Sequence, residues 1–413
     1  MFYIDPGTGS MLFTVLIGVL GAGAYALRDS IVKAKFLLSG GRTVTMDDEV
    51  PDFVIFSDDK RYWNVFKPIC DEFEKREVPI TYMTASENDP ALNEKYNFVS
   101  CEFIGEGNKA FVRLNNLKAD ILLSTTPSLD VFYWKRSKNV KWYVHIPHAI
   151  SDITLYRVFG IDYYDAILTP GEYHEGQIRE LENIRNLPKK EVVKVGMTYM
   201  DVLKKRLETV GPIHDDITTV LLAPSWGPSA ILSKFGKDII KTLLDTGYHI
   251  IVRPHPQSFT SEKDLIEGIM SAYPDSEQLE WNTDNDNFDV LNRADIMISD
   301  FSGVVFDYSL VFDKPIIYME TDFDKSIYDA DWIDEELWTF RTLPKIGREI
   351  NTESLPQLKE IIDDCLTNPK YQRARDEARA ETWAFDGESA VRTVDYLLEK
   401  HKLLTEKKSL QES

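Results

Sequence analysis

The chain has 413 residues, 43% of them hydrophobic and 12% aromatic, which is too much for one compact core and suits two domains of ordinary size. Its formal charge of −21 argues against a nucleic-acid binder, which needs a basic face to displace counterions, and against a protein held to anionic lipid by surface charge. Three scattered cysteines (Cys70, Cys101, Cys365) form no CxxC pair, so neither a cysteine-built zinc site nor a disulfide framework is expected, and a reducing, cytosolic setting fits.

The first element is apolar. Pro6–Leu27 carries no charged residue, and 22 residues of helix span roughly 30 Å of hydrocarbon. Arg28, Lys33, Lys35 and Arg42 follow it, while the leader has Asp5 and no basic residue, which places the carboxyl side in the cytoplasm. A cleaved signal peptide is the competing reading, because Ala24-Tyr25-Ala26 resembles a cleavage site, but signal peptides carry positive charge before the apolar run. The expectation is a single-pass transmembrane helix in the cytoplasmic (inner) membrane within an anchor and juxtamembrane segment 1–45.

Beyond Gly40-Gly41, short apolar strands alternate with amphipathic helices. Strands are expected at Phe53–Phe56, Ile80–Met83, Ile121–Ser124, Trp142–Ile146, Ala166–Thr169 and Val192–Val195, with helical spacing over Arg61–Arg76. A second series has strands at Val220–Ala223, His249–Val252, Ile296–Ile298 and Pro315–Met319, with helices at Asp238–Leu244 and Leu265–Ala272. Such alternation means parallel sheets covered on both faces. The fold class is therefore α/β, with two Rossmann-like domains facing a cleft, residues 46–212 and 213–398, and a charged, frayed tail at 399–413.

In open parallel sheets, ligands bind beyond the carboxyl ends of strands, and several chemically capable residues fall there. Ser299-Asp300-Phe301-Ser302-Gly303 follows one strand and opens a helix expected over Val304–Leu310, whose free N–H groups suit a phosphate. Ser302 adds a hydroxyl, Gly303 allows close approach, and Asp307 can accept from a sugar hydroxyl; the plain alternative is that Ser299 or Ser302 caps the helix. Arg253-Pro254-His255-Pro256 places a cation and an imidazole in a stiff loop after another strand. Ser225, in Ala223-Pro224-Ser225-Trp226-Gly227, supplies another hydroxyl. In the amino-terminal half, His145-Ile146-Pro147-His148 offers two imidazoles; a metal is disfavoured for want of a third ligand, and a base for an acceptor hydroxyl is preferred. Gly196–Asp201 stands where the interdomain hinge belongs. GxxxxGK[ST], GxGxxG and GxSxG motifs are absent, which disfavours nucleotide hydrolysis, NAD and a serine hydrolase. No ligand cluster decides a requirement for Mg2+.

RPHP at Arg253–Pro256 together with SDFSGVVFDYSLVFDKPIIY at Ser299–Tyr318 resembles the CDP-glycerol glycerophosphotransferase family of teichoic-acid primases and polymerases. APSW at Ala223–Trp226, GMTYMD at Gly196–Asp201 and FDGESAVRTVDYLL at Phe385–Leu398 add to the resemblance, which covers roughly Trp142 to Leu398. It implies a GT-B-like fold that holds CDP-glycerol in the carboxyl-terminal domain and transfers glycerol phosphate to a hydroxyl of a lipid-linked glycan or polyol phosphate. His148 aligns with the family's histidine in Trp-His-Gly-Thr-Pro and is the expected base, with His145 in reserve on the acceptor side. Arg253, His255, Ser225, Ser299, Ser302, Gly303 and Asp307 are expected around the donor. Pro147 and Ala149 replace the family's flanking Trp and Gly, and another CDP-linked polyol such as CDP-ribitol stays open. A nucleotide-sugar glycosyltransferase of cell-surface polysaccharide synthesis and an inactive membrane-anchored nucleotide-binding protein are the competing readings.

Overall fold

A computed structural model describes residues 51–412, apart from 157–158, 214–215, 285, 321–322, 329, 331–332 and 334–335. The expected transmembrane segment Pro6–Leu27 lies outside the described residues. Among those described, no helix is long and apolar enough to cross a membrane.

Two parallel sheets carry the fold. The first contains β1 (Phe53–Ser57), β2 (Ile80–Thr84), β3 (Val99–Phe103), β4 (Lys118–Ser124), β5 (Asn139–His145), β6 (Ala166–Thr169) and β7 (Glu191–Lys194), in the spatial order β3-β2-β1-β4-β5-β6-β7. The second contains β8 (Thr219–Leu222), β9 (His249–Val252), β10 (Leu279–Trp281), β11 (Ile296–Ser299), β12 (Ile316–Met319) and β13 (Gly347–Ile350), in the order β10-β9-β8-β11-β12-β13. Central strands such as β1, β6, β8, β11 and β12 are buried at every position, because helices cover both faces. That is why each reads as an unbroken apolar run.

Three strands escaped the sequence reading, and each is an edge strand: β3 (VSCEF), β10 (LEW) and β13 (GREI). An edge strand has one neighbour and partial cover, so charged residues interrupt it and no apolar run marks it.

The two halves share apolar contacts. Ile150, Met197, Met200 and Leu203 of the first half lie in one buried cluster with Val305, Phe306, Leu310 and Trp383 of the second. The chain then returns. Helix Ser389–Glu412 buries Val394, Tyr396 and Leu397 against Phe53, Ile55 and Val144 of the first sheet. This corrects two expectations: residues 399–412 continue a helix rather than fraying, and 389–398 pack on the first domain rather than the second.

Candidate functional site

Every strand delivers its carboxyl end to one edge of its sheet, and crevices open where the winding reverses, between β1 and β4 and between β8 and β11. The second lobe's crevice is framed by buried hydrogen bonds. Ser299 is fully buried and its hydroxyl donates to the Ala223 carbonyl (2.6 Å), tying the end of β11 to that of β8. Asp300 is also buried and accepts from the Ser225 N–H (2.9 Å), the Ser225 hydroxyl (2.6 Å) and the Ile231 N–H (3.0 Å). Burial pushes the Asp300 carboxyl up, and bonds from Ser225, Ile231 and Ser302 pull it back. Ser225 and Ser299, both expected around the donor, have their hydroxyls engaged in this frame.

The frame presents Ser302 and Gly303, both half-buried, at the start of a helix. Its first turn, Val304–Phe306, is α-helical and then widens into a π turn over Asp307–Val311, where a regular helix was expected. Such widened turns occur often at functional sites. Asp307 is half-buried at the beginning of that turn and accepts no hydrogen bond among the described residues. Burial alone raises its carboxyl to about 7. Tyr199, on helix Thr198–Val210, feels this carboxylate and donates to Asn287 Oδ1 (2.9 Å).

The RPHP loop follows β9. Arg253 is held by Asn282 Oδ1 and by the Asp284 carbonyl (2.7 Å). His255 accepts the Gln257 N–H at Nδ1 (3.1 Å), so in its neutral form the proton sits on Nε2. Burial lowers the His255 pKa, the Arg61 charge lowers it further, and Glu262 opposes both. The result is a neutral imidazole with a donor N–H to offer.

In the first lobe the two candidate histidines separate sharply. His145 ends β5, is completely buried between Tyr156 and Tyr164 (ring centroids 5.5 and 5.0 Å away), and neither ring nitrogen finds a partner. Burial, then the neighbouring His148, brings its pKa down to about 3. The ring leaves no exposed surface for a ligand to touch. His148 is half-buried, packs on the Tyr62 ring (4.6 Å) and exchanges a hydrogen bond with Thr125 Oγ1 through Nδ1 (3.1 Å). Burial, then Arg61, lowers it to about 4, so at neutral pH it is an unprotonated, weakly basic imidazole.

The lobes meet here. A side chain placed at Gly303 would come within 4.0 Å of the Ala149 methyl, so the His148 loop stands directly opposite the helix start. Asp152 fixes that loop by capping the second lobe's helix Trp338–Ile346: it accepts from the Trp338 N–H (2.7 Å), the Thr339 N–H (3.0 Å) and the Thr339 hydroxyl (2.7 Å). The expected hinge is a crossing point. Asp201 accepts from Trp383 Nε1 (2.8 Å) and from the N–H groups of Gly387 (3.0 Å) and Ser389 (3.0 Å), which locks GMTYMD to FDGES.

Sequence reasoning missed Asp58, Arg61, Tyr62, Thr125 and Thr126. Asp58 accepts the Thr126 hydroxyl (2.8 Å) across the first sheet's own reversal point. The signal was available: SDDKRY directly follows the first apolar strand, where the strand-end rule places ligands in either domain. For a metal, Asp52, Asp120 and His401 bring one ligand atom each within 4.8 Å of one another, but at the amino ends of the strands, away from the cleft, and Lys141 Nζ already pairs with Asp120 (2.6 Å).

Residues 161–399, more than half of the chain, match the family model described as CDP-glycerol:poly(glycerophosphate) glycerophosphotransferase. The chain belongs to that family of transferases. The match takes in the RPHP loop, the Ser302–Gly303 turn, Asp307 and the Asp201 crossing, and leaves His148 and the turn after β1 outside it. Among curated proteins, none matches the sequence. Among solved structures, the chain is similar to the S. aureus MnaA–UDP complex (14% identity, 84% of this chain and 96% of that one, TM-score 0.56). It is likewise similar to UDP-GlcNAc 2-epimerase from Neisseria meningitidis bound to UDP-GlcNAc (13%, 84% and 99%, 0.55) and to that from Methanocaldococcus jannaschii with UDP-GlcNAc and UDP (13%, 84% and 99%, 0.54). At such identities the likeness concerns the GT-B-like, two-sheet α/β fold.

Proposed function

We propose that the cleft transfers glycerol phosphate, or a related polyol phosphate, from CDP-glycerol to a hydroxyl of a membrane-associated glycan or polyol-phosphate acceptor, releasing CMP. The observation that carries this reading is the approach of the His148 loop to the helix start at Gly303, a base opposite a phosphate cradle, within a family of glycerophosphotransferases. The structural relatives that hold UDP agree with a nucleotide donor.

In this reading the Gly303 amide, the Ser302 hydroxyl, His255 Nε2–H and Arg253 bind the diphosphate, while the Ser302 N–H stays on Asp300. Asp307, about half protonated near pH 7, can donate to or accept from a polyol hydroxyl. Thr125 accepts from His148 Nδ1–H and so leaves the Nε2 lone pair facing the acceptor. His148 takes the acceptor's proton while the acceptor oxygen bonds to the β-phosphorus. The bond from that phosphorus to the bridging oxygen breaks, and CMP departs with the electron pair. Positioning and charge neutralisation supply the rate, as in other phosphoryl transfers. The apolar stretch Pro6–Leu27 would keep the cleft beside a lipid-linked acceptor.

Incubation with a panel of CDP- and UDP-linked donors, read by mass spectrometry, tests the reading. CMP with transferred or released glycerol phosphate supports it. A free sugar released from a UDP-linked donor would support a glycosyltransferase instead.

A further inference from the structure

We propose that Arg61, on the first lobe, is a further catalytic residue, clamping the phosphoryl group in flight from the side opposite the Ser302–Gly303 turn. The assignment rests on the transfer reading above. It lies outside the part of the chain that matches the family model.

Its position comes from a chain of contacts. The Arg61 guanidinium carbon is 5.9 Å from the Tyr62 ring, that ring is 4.6 Å from His148, and Ala149 abuts Gly303 across the cleft. The turn that carries it is the one directly after β1, at the reversal point of the first sheet. The turn is held rigidly. Asp59 accepts the Arg61 N–H (2.9 Å) and pairs with its Nε (3.1 Å), while Lys60 N–H donates to Ser86 Oγ (3.0 Å). The two terminal guanidinium nitrogens have no hydrogen bond among the described residues, and 60% of the side chain is exposed.

The field of this cation reaches both lobes. It is the largest charge effect on His148 of its own domain and on His255 of the other, and it lowers both. With Tyr62 linking its turn to His148, this cation stands on the acceptor side of the proposed diphosphate site. Guanidinium presents a planar fork that matches phosphate oxygens, and Asp59 spends only its Nε edge, leaving the terminal nitrogens for the ligand. Negative charge shifts onto the bridging and equatorial oxygens as CMP leaves, and Arg61 neutralises it from the acceptor side. The surrounding imidazoles, being neutral, cannot.

The test uses the full-length protein, with CMP release measured at steady state and CDP-glycerol affinity measured by calorimetry. Arg61→Ala should lower kcat about 100- to 1,000-fold while donor Kd stays within about threefold. Arg61→Lys should recover little, since an ammonium lacks the fork, and added guanidinium should partly restore Arg61→Ala. Lys60→Ala, on the same turn, should behave as wild type. A kcat for Arg61→Ala within about threefold of wild type overturns the assignment, as does a loss of donor affinity with unchanged kcat. Wild-type protein that neither binds nor cleaves CDP-glycerol would instead overturn the transfer reading, and the assignment with it.

Discussion

Gly303 of the second lobe faces Ala149 of the first, with 4.0 Å between the Ala149 methyl and the place a side chain at 303 would occupy. The Gly303 backbone has φ −58, which any residue adopts, so the glycine answers a need for space and not for conformation. Gly303→Val should therefore fold normally and lose transfer, because its branches fill the gap above the helix amides. Gly303→Ala, in ordinary contact at most, should keep a large part of the activity. Thermal denaturation beside CMP release checks both.

Thr125 orients the proposed base. Thr125→Val keeps the shape and removes the partner of His148 Nδ1. We expect kcat to fall roughly tenfold to a hundredfold with KM nearly unchanged, because a misaligned base affects the chemical step more than donor binding.

Asp307 predicts a pH effect. Its carboxyl is raised to about 7, so it is neutral below that value and negative above it. A diphosphate donor should bind more weakly as pH rises from 6 to 8, through like-charge repulsion. Asp307→Asn should flatten that dependence. Calorimetry with CDP-glycerol across this range reads the result.

His145 and His174 predict acid sensitivity. Both are completely buried and burial brings each down to about 3. The unfolded chain binds these protons near the ordinary value of 6.5, so it holds more protons than the folded chain between pH 6.5 and about 3. Stability is therefore intact above 6.5 and falls as pH drops, by about 2 kcal/mol per histidine at pH 5. The melting temperature should fall over that interval, and His145→Phe should reduce the slope.

The residues readable in advance were those whose burial or chain stiffness leaves a local mark. Ile296–Ile298 and Val220–Ala223 are interior parallel strands and therefore continuous apolar runs, and RPHP announces itself by its prolines. The edge strand Gly347–Ile350 has no such run. Ser299 and Ser302 look alike in sequence, yet one is buried with its hydroxyl on the Ala223 carbonyl and the other is half-buried; only the pairing of β11 with β8 tells them apart. His145 and His148 differ for a similar reason. One ends a strand beneath two tyrosines, and the other lies three residues on, past the sheet edge.

The crossing of the chain at Gly196 should be intolerant. A side chain there would stand 2.3 Å from the Ala384 carbonyl oxygen, and the backbone has φ +95. Gly196→Ala should cost about 2–4 kcal/mol and loosen helix Ser389–Glu412 from the first sheet. Denaturant unfolding monitored beside hydrogen exchange in that helix gives the answer.

The most direct measurement is a crystal structure of the protein with CDP-glycerol or a non-cleavable analogue. The β-phosphate is expected within hydrogen-bond distance of the Ser302 hydroxyl, the Gly303 amide and His255 Nε2, with His148 on the opposite side. Diphosphate density elsewhere, or a cleft filled by Ser302 and His255 bonding to protein instead of ligand, would contradict it.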